Sequence, residues 1–206
     1  MPKTAPFERY TDAYDEWFRR NAEKYKSELE VIRGLLPPDE VKGVEIGVGS
    51  GKFAGPLGIR LGVEPSRKMA LKAKNLGIKV IQGVAENLPF RDDGLGCVLM
   101  VTTICFVDDV IKSFDEAYRV LKTGGCIIVG FVNKESELGR YYATKRERSK
   151  FYKDATFFSA NDVLGLLKKV GFRIEKIRQT IIPGRLQNTI LDGFGKGAFV
   201  AIRGSK

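Results

Sequence analysis

Residues 44–51, with the sequence VEIGVGSG, have the types and spacing in this chain that most directly suggest chemistry. Gly47, Gly49 and Gly51 stand at alternate positions after an apolar run, and an acidic residue, Glu45, precedes them. Glycine is needed where the backbone adopts a positive φ or approaches a ligand closely. We therefore expect a turn whose main-chain groups, with the nearby carboxylate, bind a ligand that carries cationic or hydroxyl groups.

The spacing of these glycines separates two kinds of ligand. A dinucleotide turn has the pattern Gly-x-Gly-x-x-Gly, but Lys52 occupies the position of the third glycine. A carboxylate such as that of Glu45 also repels a pyrophosphate. The pattern favours a ligand with an ammonium group and a ribose but no phosphate, as in S-adenosylmethionine, and leaves nicotinamide chemistry as the weaker alternative.

The elements around this turn predict its place in the fold. Apolar runs and amphipathic stretches alternate from residue 41 to residue 182, which indicates a parallel sheet with helices on both faces. We predict an α/β, Rossmann-like, seven-stranded and mostly parallel sheet with an antiparallel last strand at 198–203. One continuous helix over 7–33 should precede the sheet, and a short helix over 52–57 should follow the glycines.

Ligands of such sheets bind beyond the carboxyl ends of the strands. The loops expected at that edge are 47–51, 64–66, 84–87 and 101–106, together with the segment after Val132. We find no repeat or linker and predict one domain over residues 1–206. Its parts are an N-terminal helical cover (1–38), a cofactor-binding core (39–132), a substrate-side insertion (133–158), and a helix with a C-terminal strand pair (159–206).

The composition argues against several classes of protein and of site. The chain has 206 residues, of which 43% are hydrophobic and 29% charged, as in a globular domain. It has no apolar run near the ~20 residues that span a bilayer and no signal-peptide core, so we expect a cytoplasmic protein. It has no histidine, which excludes Ser–His and Cys–His catalysis and argues against a metal site. The three cysteines are odd in number and two lie in apolar runs, which favours reduced thiols.

Four ordered blocks of sequence carry a family resemblance. They are VEIGVGSG (44–51), GVEPS (62–66), GVAENLPF (83–90) and RVLKTGG (119–125). The chain resembles the class I S-adenosylmethionine-dependent methyltransferases, in the small-molecule branch similar to ubiquinone/menaquinone-biosynthesis enzymes. The stretch YDEWF (14–18) resembles the N-terminal helix of that branch. The resemblance implies an enzyme that binds S-adenosylmethionine and releases S-adenosylhomocysteine.

The resemblance also implies which residues hold the cofactor. Glu64 would accept hydrogen bonds from both ribose hydroxyls, since a carboxylate has two acceptor oxygens. Pro65, with Ser66 at the start of the next helix, would lie near the adenine, and Ala85 and Glu86 would contact its ring. The methionine end would be held by Glu45, the glycine turn and the start of the loop after the fourth strand: Gly47, Val48, Gly49, Gly51, Val101 and Thr102.

Three positions depart from the pattern of the family. Val84 stands where many relatives have an aspartate for the adenine amino group, so Glu86 or the backbone must replace it. Leu95 and Gly96 replace a common Phe-Asp before the fourth strand. The loop 102–106 lacks the histidine that relatives often carry, so no histidine base is available.

The residues that would choose the methyl acceptor carry weaker signals. Tyr14, Trp17, Tyr141 and Tyr142 are candidates for substrate contacts, and residues 140–158 interleave basic and aromatic side chains. That segment fits a solvated basic helix, a lid over a small anionic or aromatic molecule, or a surface for single-stranded nucleic acid. The net charge of +10 would assist any anionic partner.

The function predicted from these observations is methyl transfer to a small-molecule acceptor at a nitrogen, oxygen or carbon atom. Methyl transfer to RNA stays open as an alternative, as does binding of S-adenosylmethionine without turnover.

Overall fold

The fold is known from a computed structural model that describes residues 3–37, 43–186 and 188–206. Eight strands in these ranges form one sheet in the order β3-β2-β1-β4-β5-β8-β6-β7. Strands β1 to β5 pair in parallel, while β8 lies antiparallel between β5 and β6. The strands are β1 (Gly43–Ile46), β2 (Leu61–Val63), β3 (Lys79–Ile81), β4 (Leu95–Val101), β5 (Leu121–Val132), β6 (Arg173–Thr180), β7 (Leu191–Asp192) and β8 (Phe199–Ser205). The predicted α/β class and mostly parallel sheet are confirmed.

The strand count differs from the predicted seven because β7 is an additional edge strand. It lies within residues 183–197, which the sequence presents as a glycine-rich loop, and it pairs antiparallel with β6. The Gln179 side chain stabilises this turn: its amide donates to the Asp192 carbonyl at 3.2 Å and its Oε1 accepts the N–H groups of Lys196 and Gly197. A strand of two residues has no alternation of its own to reveal it. Residues 41–42, where the predicted alternation of elements begins, and the boundary predicted after residue 38 lie outside the described ranges.

Seven α-helices flank the sheet in the described residues. They are α1 (Ala5–Arg9), α2 (Thr11–Arg20), α3 (Ala22–Arg33), α4 (Arg67–Asn75), α5 (Val110–Val120), α6 (Glu137–Thr144) and α7 (Ala160–Val170), with a 3-10 turn at Arg146–Arg148. Several of these helices begin with a side-chain cap. The side chains of Ser66, Asp109 and Ser159 accept backbone N–H groups at the starts of α4, α5 and α7.

The prediction of one helix over 7–33 is wrong, because the helix is interrupted twice. Tyr10 (φ −124°, ψ 34°) and Asn21 (φ −114°, ψ 36°) leave the helical region. The Asn21 side chain donates to the Trp17 carbonyl at 2.9 Å, in addition to the Asn21 backbone N–H, which donates to the same oxygen at the end of α2. The breaks divide the segment into three helices, of which α2 and α3 pack on one face of the sheet.

The short helix predicted over 52–57 is replaced by a series of turns. Pro56 supplies no backbone N–H, and the Ala54 N–H donates to Oε2 of Glu45 at 2.7 Å. The Tyr25 hydroxyl donates to the Lys52 carbonyl, which ties these turns to α3.

Apolar clusters cover both faces of the sheet, one under α5 and α7 and the other under α2, α3 and α4. Cys97 and Cys126 are adjacent in the β4–β5 register, and both are buried with free thiols, as the sequence predicts. No helix in the described ranges is long and apolar enough to cross a bilayer.

Candidate active site

A cleft with about 700 Å³ of empty space, part of it open to solvent, lies beyond the carboxyl ends of β1, β2 and β4. This is the edge where parallel α/β sheets bind their ligands. Eight of the predicted cofactor residues line it: Gly47, Gly49, Glu64, Pro65, Ala85, Glu86, Val101 and Thr102. Ile46, Val63, Met69, Val84, Thr103 and Phe106 are also among its walls.

The glycine turn adopts the backbone conformation that its sequence predicts. Gly47, Gly49 and Gly51 have φ values of 70°, 55° and 83°, which side-chain-bearing residues rarely adopt. A Cβ on Gly47 would lie 2.5 Å from the methyl carbon of Thr103, so glycine is also required there by space. A Cβ on Gly49 would lie 3.6 Å from the hydroxyl of Tyr14, which places that tyrosine over the turn.

Glu64, at the end of β2, is held by the backbone on both of its carboxylate oxygens. The Gly49 N–H donates to Oε2 at 2.8 Å and the Ser66 N–H donates to Oε1 at 2.9 Å. Burial raises the pKa of Glu64 to about 7, against the lowering effect of these two donors, and the carboxylate of Glu8 raises it further. Each oxygen keeps acceptor capacity for a second donor, such as a ribose hydroxyl.

Glu45 occupies a different position from the one expected of a ligand residue. Its carboxylate is 1% exposed and accepts the Ala54 N–H, and the side chain is absent from the walls of the cleft. Burial raises its pKa well above the usual value. Glu45 therefore fixes the turns after the glycines. Val48, Gly51 and Ser66 likewise support the turn or cap α4 without lining the cleft.

Residues 83–86, the start of the block 83–90, line the part of the cleft next to the loop after β4. Oε1 of Glu86 accepts the N–H groups of Asp108 and Asp109 at 2.7 and 3.2 Å, which joins this loop to the one after β4. Val84 faces the cleft with an apolar side chain, and Ala85 is 6% exposed.

Helix α5 clamps the same loop from behind. The guanidinium of Arg119 donates to the carbonyls of Leu88 and Phe90 at 3.1 and 2.9 Å, and it also binds both oxygens of Glu116. Glu116 in turn accepts the Leu88 N–H at 2.7 Å. This explains why the blocks 83–90 and 119–125 occur together.

The N-terminal helices close the open side of the cleft. Lys3, Thr4 and Phe7 line it, and the Lys68 N–H at the start of α4 donates to Glu8 at 3.3 Å. Asp15 on α2 accepts the hydroxyl of Ser50 in the glycine turn at 2.6 Å and pairs with Lys72 and Lys52 at 2.8 and 3.3 Å. Nearly all of these contacts join residues distant in sequence, so the cover is attached directly to the turn that it covers.

A second cavity, here called the aromatic chamber, adjoins the cleft and has about 730 Å³ of empty space. It lies between α2, α3, α6 and the loop that follows α6. Four residues belong to the walls of both cavities: Phe7, Tyr14, Thr102 and Phe106. Its other walls are Trp17, Phe18, Lys24, Glu28, Phe53, Val132, Leu138, Tyr142, Phe151, Tyr152 and Ile181.

Thr102 stands at the junction in an unusual backbone conformation. Its φ of 51° is strained for a β-branched residue, and its N–H donates to the Gly130 carbonyl at 2.7 Å. Such strain is often retained at functional sites.

The residues predicted to contact the substrate divide between two surfaces. Tyr14, Trp17 and Tyr142 line the aromatic chamber. Tyr141 is 57% exposed and lines a separate, open groove outside it. In residues 140–158 the aromatic side chains Tyr142, Phe151 and Tyr152 turn inward, while the basic side chains Arg140, Lys145, Arg146, Arg148, Lys150 and Lys153 are exposed.

Several wall residues were not identified from the sequence, notably Phe7, Thr103, Phe106, Glu28, Phe151 and Tyr152 as parts of one site. A signal existed for Glu28, which follows Tyr25 by three positions and precedes Ile32 by four, on the inward face of α3. In the described residues no cluster of three or more His, Cys, Asp or Glu side chains could hold a metal ion.

The cleft fits S-adenosylmethionine in the chemistry of its donors and acceptors. Glu64 offers two oriented carboxylate oxygens at the end of β2, and the glycine turn exposes backbone that side chains would otherwise cover. Two carboxylates, Glu64 and Glu86, face the space, against one cation, Lys3, among the described lining residues, which suits a ligand without phosphate.

The comparisons with known proteins agree with this geometry. A family model described as "Methyltransferase domain" matches residues 44–129. A crystal structure of an S-adenosylmethionine-dependent methyltransferase from Thermotoga maritima, described as a possible histamine N-methyltransferase, is 49% identical with a TM-score of 0.94, covering 98% of this chain and 99% of that one. An uncharacterised protein of Methanocaldococcus jannaschii is 43% identical over 97% of this chain and 98% of its own.

A shorter match links the chain to quinone-biosynthesis enzymes. The ubiquinone/menaquinone biosynthesis C-methyltransferase of Marinomonas is 42% identical over 62 residues, which are 30% of this chain and 25% of that protein. The near-complete match to the Thermotoga enzyme and the cleft beyond β1, β2 and β4 lead to one conclusion. The chain belongs to the class I S-adenosylmethionine-dependent methyltransferases, resembles the ubiquinone-biosynthesis enzymes among them, and uses S-adenosylmethionine as its methyl donor.

Proposed function

We propose that this methyltransferase modifies a small molecule that binds in the aromatic chamber. The observation that carries the proposal is the shared wall of the two cavities, formed by Phe7, Tyr14, Thr102 and Phe106. An acceptor in the chamber and a methyl donor in the cleft would meet at this wall. Holding two reactants in line is the main contribution that an enzyme makes to such a displacement.

The roles of the cleft residues belong to the same proposal. Glu64 binds the ribose hydroxyls, the backbone of Gly47 and Gly49 receives the methionine end, and Ala85 and Glu86 border the adenine. When bound, the cofactor supplies a methyl carbon on a positive sulfur; the acceptor bonds to that carbon as the carbon–sulfur bond breaks and its electron pair stays on sulfur. The N-terminal helices act as a cover, since Lys3, Thr4 and Phe7 lie over the cleft.

The chamber itself supports an acceptor that arrives ready to react. Burial raises the pKa values of Tyr14, Tyr142 and Tyr152, so these phenols keep their protons at neutral pH and can donate hydrogen bonds but cannot act as bases. The chain has no histidine to take a proton. The tyrosines therefore orient the acceptor, and its attacking atom must already carry a free electron pair or lose its proton to another group.

RNA is the competing acceptor, and the exposed basic side chains of residues 140–158 are the observation that favours it. Those side chains lie on the outer surface, however, and the passage to the cleft is lined by aromatic rings packed against one another. The rings of Phe7 and Phe151 are 5.7 Å apart and those of Phe106 and Tyr152 are 5.9 Å apart. This closed arrangement favours a small molecule over an extruded base.

The proposal is tested with methyl-labelled S-adenosylmethionine and two acceptor pools, a desalted metabolite extract and total RNA. We expect label in the small-molecule fraction that ribonuclease treatment leaves unchanged. Label that appears only in RNA and disappears with ribonuclease would establish the competing function. Tight binding of S-adenosylmethionine with no transfer to either pool would instead point to a protein that binds the cofactor without turnover.

A further inference from the structure

Glu28 on α3 is a buried acid in the chamber whose presence methyl transfer alone does not explain. Its side chain lines the chamber and is 5% exposed. Among the residues that the structure describes, no hydrogen bond or ion pair involves its carboxyl group. The charge of Lys24, one turn earlier on α3, lowers the pKa of Glu28, but less than burial raises it. Burying an ionisable group without a partner is unfavourable, and buried polar groups without partners call for an explanation. A ligand in the chamber would supply the missing partner.

The walls around Glu28 have the character of a site for cations. Trp17, Tyr142 and Phe151 are among the aromatic walls of the chamber, and the Tyr152 ring stacks on those of Tyr142 (4.9 Å, 24°) and Phe106 (5.9 Å, 14°). Faces of aromatic rings attract ammonium groups electrostatically, most strongly where water is excluded. A carboxyl group within an aromatic enclosure combines this attraction with a full opposite charge.

Resting on the methyltransferase function proposed above, we propose that the chamber selects acceptors that carry a cationic nitrogen, with Glu28 as the residue that binds it. The acceptor class is a small molecule with an ammonium group, which binds Glu28, and an apolar part against the aromatic walls. A different atom of the same molecule, one that carries a free electron pair, is then the one that attacks the methyl carbon at the shared wall. Glu28 is then the specificity-determining residue of the enzyme.

The other charged and titratable groups that face Glu28 are few. Lys24 and Tyr25 lie on its own helix, and Tyr14, Tyr142 and Tyr152 face it from α2, α6 and the following loop. Glu28 is the sole carboxylate, and Lys24 the sole cation, among the described wall residues. Lys24 is half-buried and also borders the open groove outside the chamber, which places it at the outer side. The experiment must therefore distinguish a cation bound to Glu28 from an anion bound to Lys24.

Binding of a cation should depend on pH in a defined direction. Burial raises the pKa of Glu28 to about 8, so a cation must displace a proton from it at neutral pH. Affinity for a cation should therefore rise between pH 6 and pH 8, by up to about tenfold per unit. The pKa of Glu64 in the adjoining cleft lies in the same range. The contribution of Glu28 to the pH dependence of affinity is therefore the portion that Glu28→Gln removes.

The experiment measures binding of three probes of similar size by calorimetry, with the protein saturated with S-adenosylhomocysteine. The probes are 2-phenylethylamine as cation, 2-phenylethanol as its neutral counterpart and phenylacetate as anion. The variants are Glu28→Gln, Glu28→Asp and, as a matched control, Glu23→Gln, which alters an exposed carboxylate on the same helix. Affinity for S-adenosylhomocysteine shows that each variant is folded.

We expect the wild type and Glu23→Gln to bind the amine at least tenfold more tightly than the alcohol. Glu28→Gln should reduce this preference to less than threefold and abolish its rise with pH, and Glu28→Asp should retain part of it. Equal affinity for the three probes, a preference for phenylacetate, no binding of any probe, or an amine preference that survives in Glu28→Gln would each overturn the proposal. If the wild type then methylates neutral small molecules, the proposed function holds, but the proposed preference for cations does not.

Discussion

The backbone N–H of Gly49 donates to Oε2 of Glu64 at 2.8 Å, and this bond joins the glycine turn after β1 to the end of β2. The Ser66 N–H holds the other oxygen at 2.9 Å. The two donors fix the carboxylate from behind, so its remaining acceptor positions face the cleft. One side chain thus both shapes the turn and presents carboxylate oxygens to the cleft.

Replacing Glu64 with glutamine keeps the size of the side chain but should weaken cofactor binding. An amide has one acceptor oxygen and one donor nitrogen, so its NH2 group would face the N–H of either Gly49 or Ser66. We expect the dissociation constant of S-adenosylhomocysteine to rise at least tenfold, about 1.4 kcal/mol, measured by calorimetry. Glu30→Gln, an exposed carboxylate on α3, serves as the control and should bind normally. If Glu64→Gln binds S-adenosylhomocysteine as tightly as the wild type, Glu64 does not bind the cofactor.

Substitution of Gly47 tests whether the turn requires glycine for space as well as for its backbone angle. Alanine at a φ of 70° costs roughly 1–2 kcal/mol, and the 2.5 Å approach to Thr103 adds an overpacking cost of about 1–3 kcal/mol. Gly58→Ala is a matched control, because Gly58 has a φ of 77° but nothing within 4 Å of an added Cβ. Chemical denaturation should show the larger loss of stability for Gly47→Ala.

Thr103→Ala in the Gly47→Ala background sharpens this test. The change removes the methyl carbon and hydroxyl oxygen nearest the added Cβ and leaves the Thr103 Cβ at 3.1 Å. The double variant should therefore recover part of the free energy of unfolding that Gly47→Ala loses. If Gly47→Ala and Gly58→Ala are equally unstable, the close approach to Thr103 has no energetic weight.

The stability of the protein should respond to pH through Glu28. Its pKa is about 8 in the folded protein and near 4.5 when unfolded, so the folded state holds one more proton between these values. The free energy of unfolding therefore falls as pH rises through this window, by about 1.4 kcal/mol per unit. Relative to the wild type, Glu28→Gln should therefore gain stability from pH 5 to pH 8. Any cost of the amide that does not depend on pH cancels, because only the change of this difference with pH is compared.

Glu23→Gln provides the baseline for that measurement, since Glu23 is exposed on the same helix. A difference between wild type and Glu28→Gln that does not change with pH would mean that Glu28 titrates normally in the fold.

Arg119 supports the site at a distance through the loop 83–90. Arg119→Met keeps the aliphatic stem but removes donors to two carbonyls and to Glu116, with a cost of about 1–3 kcal/mol. We expect a lower melting temperature and weaker binding of S-adenosylhomocysteine, since the loop borders the proposed adenine position. Lys112→Met, which removes a cation from the same helix, should leave binding unchanged. Unchanged binding by Arg119→Met would show that the loop holds its position without this clamp.

The sequence predicted the sheet and the cofactor cleft because both depend on local patterns. Alternating elements indicate a parallel sheet, and the glycines at 47, 49 and 51 require positive φ wherever the chain places them. Glu64 follows a strand, so its position at the sheet edge follows from topology alone. The predicted role of Glu45 as a direct ligand received no support, since an acid before a glycine turn can point to either face of its strand, and this one binds Ala54.

The chamber could not be predicted in the same way, because it arises from contacts between distant segments. Helical spacing places Glu28 on the inward face of α3, but it does not predict the chamber, whose other walls come from α6 and the following loop. Tyr141 and Tyr142 are adjacent in sequence, yet only packing decides that Tyr142 faces the chamber. The breaks at Tyr10 and Asn21 likewise reflect the docking of the cover more than intrinsic helix propensity.

Tyr141 and Tyr142 allow the most direct test of the central claim, which is that a small acceptor reacts from within the aromatic chamber. Initial rates of methyl transfer to the acceptor found in the metabolite pool are compared for wild type, Tyr142→Ala and Tyr141→Ala, with S-adenosylhomocysteine affinity measured alongside. We predict that Tyr142→Ala lowers kcat/KM at least tenfold and leaves cofactor affinity within twofold, while Tyr141→Ala, altered at a side chain 57% exposed, behaves as wild type. Equal rates for the two variants, or a loss confined to Tyr141→Ala, would contradict the account.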